Sequence, residues 1–302
     1  MISSMSKTYL SWVDKHIDKS KFEGKNVFVT GGNSGVGFEF AKFCAYLGSN
    51  IFLLCRSTEK AEKAKEEILS LYPNTKVKII RLDLADLSSI EECADKVMKI
   101  DVDIFLNNAG VFRLPKSTTK DGFEITMGTN FLGTYYLNYL LMPYFSGLNH
   151  KVKVGFMSSI GAYFARIYFD DFFDENKKYK KFRVYCNSKL AMNSIYDKYS
   201  EDENIKNMSF VLTHPGITYT PLISKAYRVK WFHAIARGFM KLVWHSPAKA
   251  ALSALKGFES DENIKIGPRA LFATTGYPHT WTIKKYKKSA EIIETADKLL
   301  NL

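Results

Sequence analysis

The stretch Asn26-Val27-Phe28-Val29-Thr30-Gly31-Gly32-Asn33-Ser34-Gly35-Val36-Gly37 decides the fold. Its first five residues, mostly β-branched or aromatic, predict a short strand. The glycine-rich turn after them opens a predicted helix over residues 35–47. A strand, a glycine turn and a helix start, in that order, let backbone approach a pyrophosphate at the positive end of the helix. The spacing Thr-Gly-x-x-x-Gly-x-Gly departs from the usual Gly-x-Gly-x-x-Gly, so on these residues alone a plain tight turn stands beside the phosphate cradle.

Outward from this unit, short apolar runs alternate with longer helical patterns, which predicts βαβ units and a parallel sheet. Strands are expected at 26–30, 50–55, 77–82, 103–106, 152–157, 208–213 and 270–274. Helices are expected at 35–47, 58–71, 87–99, 122–144, 182–199 and 247–258, with Asp86-Leu87-Ser88-Ser89 and Ser246-Pro247 as helix starts. The expected fold class is α/β: a single doubly wound domain over residues 23–302, with a seven-stranded parallel sheet flanked by helices. Residues 1–22 read as a helical extension whose Tyr9, Leu10, Trp12, Val13 and Ile17 either pack on the domain or touch a membrane. Residues 160–182 form an aromatic insertion, and 221–246 interrupt the pattern after the sixth strand.

Composition narrows the class. A chain of 302 residues with 46% hydrophobic content supports a large core. Cys44, Cys55, Cys93 and Cys186 lack metal-type or Cys-x-x-Cys spacing, so no metal site or disulfide framework is expected, and a reducing cytoplasm is the expected compartment. Asp14, Lys15, Asp18 and Lys19 interrupt any secretory apolar core near the start, and no run reaches the roughly 20 apolar residues of a membrane span. The net charge of +12 is uneven, with no Asp or Glu between 205 and 258. No helix-turn-helix, zinc or RNP-type signature accompanies that excess, so nucleic acid is not an expected partner. Residues 228–245 mix cations with Trp231, Phe232, Phe239 and Trp244, a composition open to peripheral membrane contact.

Tyr185-Cys186-Asn187-Ser188-Lys189 carries the chemistry. On a helix, positions i and i+4 share a face, and an ammonium near a phenol lowers its pKa from about 10. After the second strand stands Arg56, with no Asp or Glu to take a ribose 2′-hydroxyl. An arginine there suits a 2′-phosphate, so NADP(H) is expected over NAD(H), beside the plainer reading of an arginine capping the next helix.

Taken together, Thr30-Gly31-x-x-x-Gly35-x-Gly37, Leu82-Asp83-Leu84, Asn107-Asn108-Ala109-Gly110, Asn130, Ser158-Ser159, Tyr185-x-x-x-Lys189 and His214-Pro215-Gly216 resemble the short-chain dehydrogenase/reductase superfamily over about residues 24–300. The Tyr185-Cys-Asn-Ser-Lys-Leu-Ala run and the segment from Asp83 look most like its retinol-dehydrogenase-like and WW-domain-oxidoreductase-like branch. The resemblance implies a Rossmann-type domain with Tyr185 as acid/base and Lys189 lowering its pKa. It further implies Ser159, preferred over Ser158, on the substrate oxygen, and Asn130 holding a water that links Lys189 to solvent. Cofactor contacts are implied at Gly31, Asn33, Ser34, Gly35, Val36, Gly37, Arg56, Asp83, Leu84, Asn108, Ala109, Gly110, Tyr185, Lys189, Pro215, Gly216, Ile217 and Thr220. His214 is expected to be structural, and residues 221–246 to form a substrate lid. The implied activity interconverts an alcohol and an aldehyde or ketone on a small apolar, lipid- or retinoid-like substrate. A non-catalytic cofactor-binding sensor or scaffold, or a basic membrane-surface protein on the same fold, are the alternatives, and a homodimer is among the open oligomeric states. Ser159 and Tyr185 lie 26 residues apart, far more than in the simplest members, which points to an enlarged aromatic cleft.

Overall fold

The computed structural model describes residues 4–174, 178–218, 245–268, 277–281 and 286–302. The strand expected at 270–274, Thr220 and nearly all of 221–246 therefore lie outside the described residues.

One sheet runs in the order β3-β2-β1-β4-β5-β6-β7-β8. Its strands are β1 (Asn26–Thr30), β2 (Asn50–Cys55), β3 (Val77–Arg81), β4 (Ile104–Asn107), β5 (Val152–Met157), β6 (Met208–Thr213), β7 (Ile264–Pro268) and β8 (Pro278–Thr280). The first seven pair in parallel, and β8 pairs antiparallel with β7. The seventh parallel strand is thus Ile264–Pro268, upstream of the expected 270–274, and an eighth strand extends the edge. Its Ile-Lys-Ile-Gly-Pro sequence ends in a dipeptide that reads as a turn, which hides the strand.

Side chains alternate across the sheet. Phe28 stacks on Phe52 at 4.2 Å on one face, while Val27 and Val29 join Ile51, Leu53 and Phe40 on the other. Both faces are covered, which is why these strands read as continuous apolar runs. The helices are α1 (Ser4–His16), α2 (Gly35–Tyr46), α3 (Thr58–Leu71), α4 (Leu87–Val97), α5 (Ile125–Met127), α6 (Gly133–Gly147), α7 (Lys181–Ser200), α8 (Pro247–Glu259) and α9 (Ser289–Leu300). Ser57, Asp86 and Ser246 accept a backbone N–H at the starts of α3, α4 and α8, as their side chains dictate.

Three segments differ from the sequence reading or settle it. The helix expected at 122–144 is broken into α5, a π-helical turn at Gly128–Leu132 that contains Asn130, and α6. α1 packs on the domain: Val13 and Ile17 are buried, Tyr9 hydrogen-bonds Ser246, and Trp12 stacks on Tyr277 at 5.4 Å. α9 packs against α7 and buries Ile292, Ile293 and Ala296. Among the described residues no helix is long and apolar enough to cross a membrane.

Candidate active site

The strand order reverses direction between β1 and β4, and the crevice outside the carboxyl ends of these strands is where open α/β sheets bind ligands. The sequence motifs converge there. Gly31 adopts φ +64°, and a Cβ on it would lie 3.0 Å from the Ala109 Cα, so only glycine lets the first turn close on the loop after β4. Gly37 is tighter still, since a Cβ there would meet the Asn108 Nδ2 at 2.3 Å. Asn108 in turn donates to the Thr30 carbonyl at 2.9 Å, and the Thr30 hydroxyl accepts the N–H groups of Asn108 and Ala109, each at 2.9 Å. Thr30 is the keystone that the motif contained without announcing its role.

The amides of the turn are unequal. Burial pushes the Cys55 thiol up to about 11, and the backbone N–H groups of Asn33 and Gly32 bond to its sulfur. The amides of Gly35, Val36 and Gly37 begin α2 and have no intrahelical partner. Ser34 is exposed and its side chain does not cap them. This helix start therefore presents free backbone N–H groups. Val36 turns its side chain into the core, so its contribution is backbone.

At the next two strand ends, Arg56 is 69% exposed with its Nε 4.0 Å from Asp83 Oδ2, a loose pair that leaves the guanidinium able to reorient. The helix cap that follows is Ser57, so the reading of Arg56 as a capping residue is not needed. Asp83 accepts the Ala85 N–H at 3.1 Å, and Leu84 is buried in the core. A Cβ on Gly133 would lie 2.1 Å from the Leu84 carbonyl, so the glycine allows α6 to press on this strand end.

Across the crevice, Tyr185 and Lys189 share one face of α7. Ser159 caps the 3₁₀ turn Ile160–Phe164, accepts the Gly161 N–H at 3.1 Å, and hydrogen-bonds the Tyr185 phenol. Ser158 instead donates to Asn193 at 2.5 Å. Lys189 is buried, donates to the Met157 carbonyl at 2.8 Å, and is lowered by burial to about 8. Burial also pushes the Tyr185 phenol up to about 12, with the Ser159 bond opposing. In this arrangement burial sets the direction of the phenol's shift, upward, and the expected lowering by Lys189 does not figure among its causes.

Asn130 sits in the π turn, accepts the Val111 N–H at 2.7 Å, and donates to the Val111 carbonyl and the Ser188 hydroxyl, both at 3.0 Å. Ser188 donates onward to the Tyr185 carbonyl at 2.8 Å. Asn130 thereby ties the loop after β4 to the helix of Tyr185. Phe112, next along that loop, meets the Tyr185 ring edge-on at 4.6 Å. Neither Ser188 nor Phe112 carried a sequence signal, since their roles depend on which loop the π turn brings to α7.

After β6, His214 is buried and lowered to about 4 by burial, and its Nδ1 accepts the Gly216 N–H at 3.2 Å. It is structural, holding the Pro215-Gly216-Ile217 turn, where Gly216 takes φ +67°. The Ile217 carbonyl accepts the His245 N–H at 2.9 Å.

Residues 25–170 match the short chain dehydrogenase family. Retinol dehydrogenase 13 of Mus musculus is 38% identical over 206 residues, 68% of this chain and 61% of that protein. Retinol dehydrogenase 12 of Homo sapiens is 31% identical over 258 residues, 82% of this chain and 81% of that protein. Among solved structures, an uncharacterized protein from Mycobacterium Paratuberculosis superposes with TM-score 0.74 at 26% identity, covering 93% of this chain and 94% of its own. The chain belongs to the short-chain dehydrogenase/reductase family. Within it, the chain falls in the retinol-dehydrogenase-like branch. It spans about three fifths of the length of the retinol dehydrogenase 13 proteins it matches.

Proposed function

We propose that the protein is an NADP(H)-dependent oxidoreductase that interconverts an alcohol and an aldehyde or ketone on an apolar substrate, with Tyr185 as its acid/base. The observation that carries this reading is the Ser159–Tyr185 hydrogen bond on a helix whose next turn buries Lys189, all facing the crevice at the strand reversal. The glycine cradle supports the cofactor, because a Cβ at Gly31 or Gly37 would press on the Asn108-Ala109 loop that lies beside it. The start of α2 would take the pyrophosphate, Asp83 the adenine, and the exposed Arg56 a 2′-phosphate.

When bound, the reduced nicotinamide supplies hydride to the carbonyl carbon. Ser159 donates a hydrogen bond to the substrate oxygen and orients it toward Tyr185. The phenol then gives its proton to that oxygen, completing the hydroxyl. A phenol held near 12 is protonated at neutral pH, so it can serve as the proton donor in the reductive direction. The Lys189 ammonium stabilises the phenolate left behind, and Asn130 positions the Val111-Phe112 loop against it. An apolar substrate is supported by the aromatics around the mouth: Phe112 on Tyr185, with Tyr163 and Phe164 58% and 66% exposed just beyond Ser159.

The test is Tyr185→Phe. Turnover of NADPH with a panel of aldehydes should fall by on the order of 10²–10⁴-fold, with NADPH binding kept. Retained turnover would remove Tyr185 from the chemistry.

A further inference from the structure

The reading above leaves Trp281 unused, yet its indole touches both sides of the active-site mouth. Trp281 follows β8, and its N–H bonds to the Lys265 carbonyl at 2.7 Å, which extends the β7–β8 ladder by one step. The ring meets His214 edge-on at 4.1 Å. It also meets Tyr163 at 5.7 Å with the planes at 70°. His214 holds the Pro215-Gly216 turn on the cofactor side, while Tyr163 belongs to the 3₁₀ turn that Ser159 caps on the substrate side.

Both contacts are backed by rigid structure. A Cβ on Gly267 would fall 2.1 Å from the His214 Nε2, so the imidazole is clamped between β7 and the indole. At the other end of β8, Tyr277 stacks on Trp12 of α1 and lies under the Lys249 ammonium at 5.6 Å. The strand is therefore anchored at Tyr277 and reaches the cleft at Trp281. Tyr163, by contrast, is 58% exposed, and among the described residues its ring contact is with the indole.

We infer that Trp281 is a positioning residue that fixes the Tyr163 side of the cleft relative to the His214-Pro215-Gly216 side, and so sets the fit for bulky apolar carbonyl substrates. The inference rests on the oxidoreductase reading. A small carbonyl needs only Ser159 and Tyr185, whereas a long one must also lie against the wall that Trp281 and Tyr163 make together. Losing the indole frees that wall and costs binding of the long substrate alone.

The experiment compares NADPH-dependent reduction of butanal and of a long-chain aldehyde by the wild type, Trp281→Leu, Trp281→Phe and Tyr163→Ala. Trp281→Leu should lose about tenfold in kcat/KM on the long aldehyde, equivalent to about 1.4 kcal/mol. The loss should appear in KM, while butanal changes less than about threefold. Trp281→Phe keeps an edge-to-face ring and should recover most of the loss. Tyr163→Ala removes the partner from the exposed side, where folding is not at stake, and should reproduce the selective loss. Equal losses on both aldehydes, or none from Tyr163→Ala, would overturn the inference while leaving the oxidoreductase reading intact. A wild type that reduces neither aldehyde with NADPH would overturn both.

Discussion

Replacing Lys189 with methionine should make the protein more stable and less active at once. Burial lowers the ammonium from its ordinary 10.5 to about 8, so at pH 7 it is still charged and desolvated. At about 1.4 kcal/mol per pH unit, keeping that charge inside costs the folded state roughly 3 kcal/mol. Methionine removes the charge but leaves the Met157 carbonyl without its donor, a loss of about 1 kcal/mol. The net gain is about 2 kcal/mol, which for a chain of this size raises Tm by roughly 3 °C. The sign depends on pH. A lysine whose folded pKa lies below its unfolded value destabilises fully below about 8, and the penalty disappears as pH rises toward 10.5. The stability gap between Lys189→Met and the wild type should therefore be largest at pH 7 and narrow by pH 10. Thermal melts at both pH values, alongside NADPH turnover, measure all three expectations. A variant that melts lower, or a gap that does not change with pH, would show that Lys189 is not held charged against burial and would refute the argument.

Two further outcomes follow from the same geometry. Arg56→Ala should weaken NADPH binding by about tenfold or more and leave NADH nearly unchanged, because the exposed guanidinium pairs only loosely with Asp83; fluorescence titration with each cofactor checks it, and equal losses would remove the 2′-phosphate argument. Reductive kcat/KM should be flat through neutral pH and fall above about 8 as Lys189 loses its proton, since the phenol near 12 remains a donor over that range; a profile that rises there would contradict the assignment of these two groups.

How much of this was legible in the sequence varies with the reach of the interaction. Elements set by local chemistry came through: Asp86 and Ser246 start helices because their side chains satisfy N–H groups three residues on. The glycine turn came through because close backbone approach excludes every other residue at Gly31 and Gly37. The edge of the sheet did not, since β7 ends in Gly-Pro and β8 is three residues long. Nor did the π turn at Asn130, where an inserted residue leaves the apolar pattern of 122–144 looking like one helix. The direction of the phenol's shift was not legible for a different reason: a tyrosine four residues before a lysine states their spacing but not their burial, and burial is its largest cause.

The 26-residue gap between Ser159 and Tyr185 does not keep their side chains apart in space. The spacer leaves the site and is returned to it by two clamps. Asn187, two residues beyond Tyr185, accepts the Arg166 N–H at 2.8 Å and donates to the Arg166 carbonyl at 3.0 Å, which pins the outgoing strand of the spacer to α7. Farther along, buried Asp174 pairs with Arg183 at the start of α7. Between the clamps the aromatics divide. Phe172 is buried and Phe169 and Phe173 pack on the core, so half of the expected cleft wall is structural. Tyr163 and Phe164 lie before the first clamp and stay exposed. Because Asn187 and Tyr185 ride on one helix, the hydroxyl of Ser159 reaches the phenol whatever the length of chain looped out beyond Arg166, and that chain can vary without disturbing the proton-transfer pair.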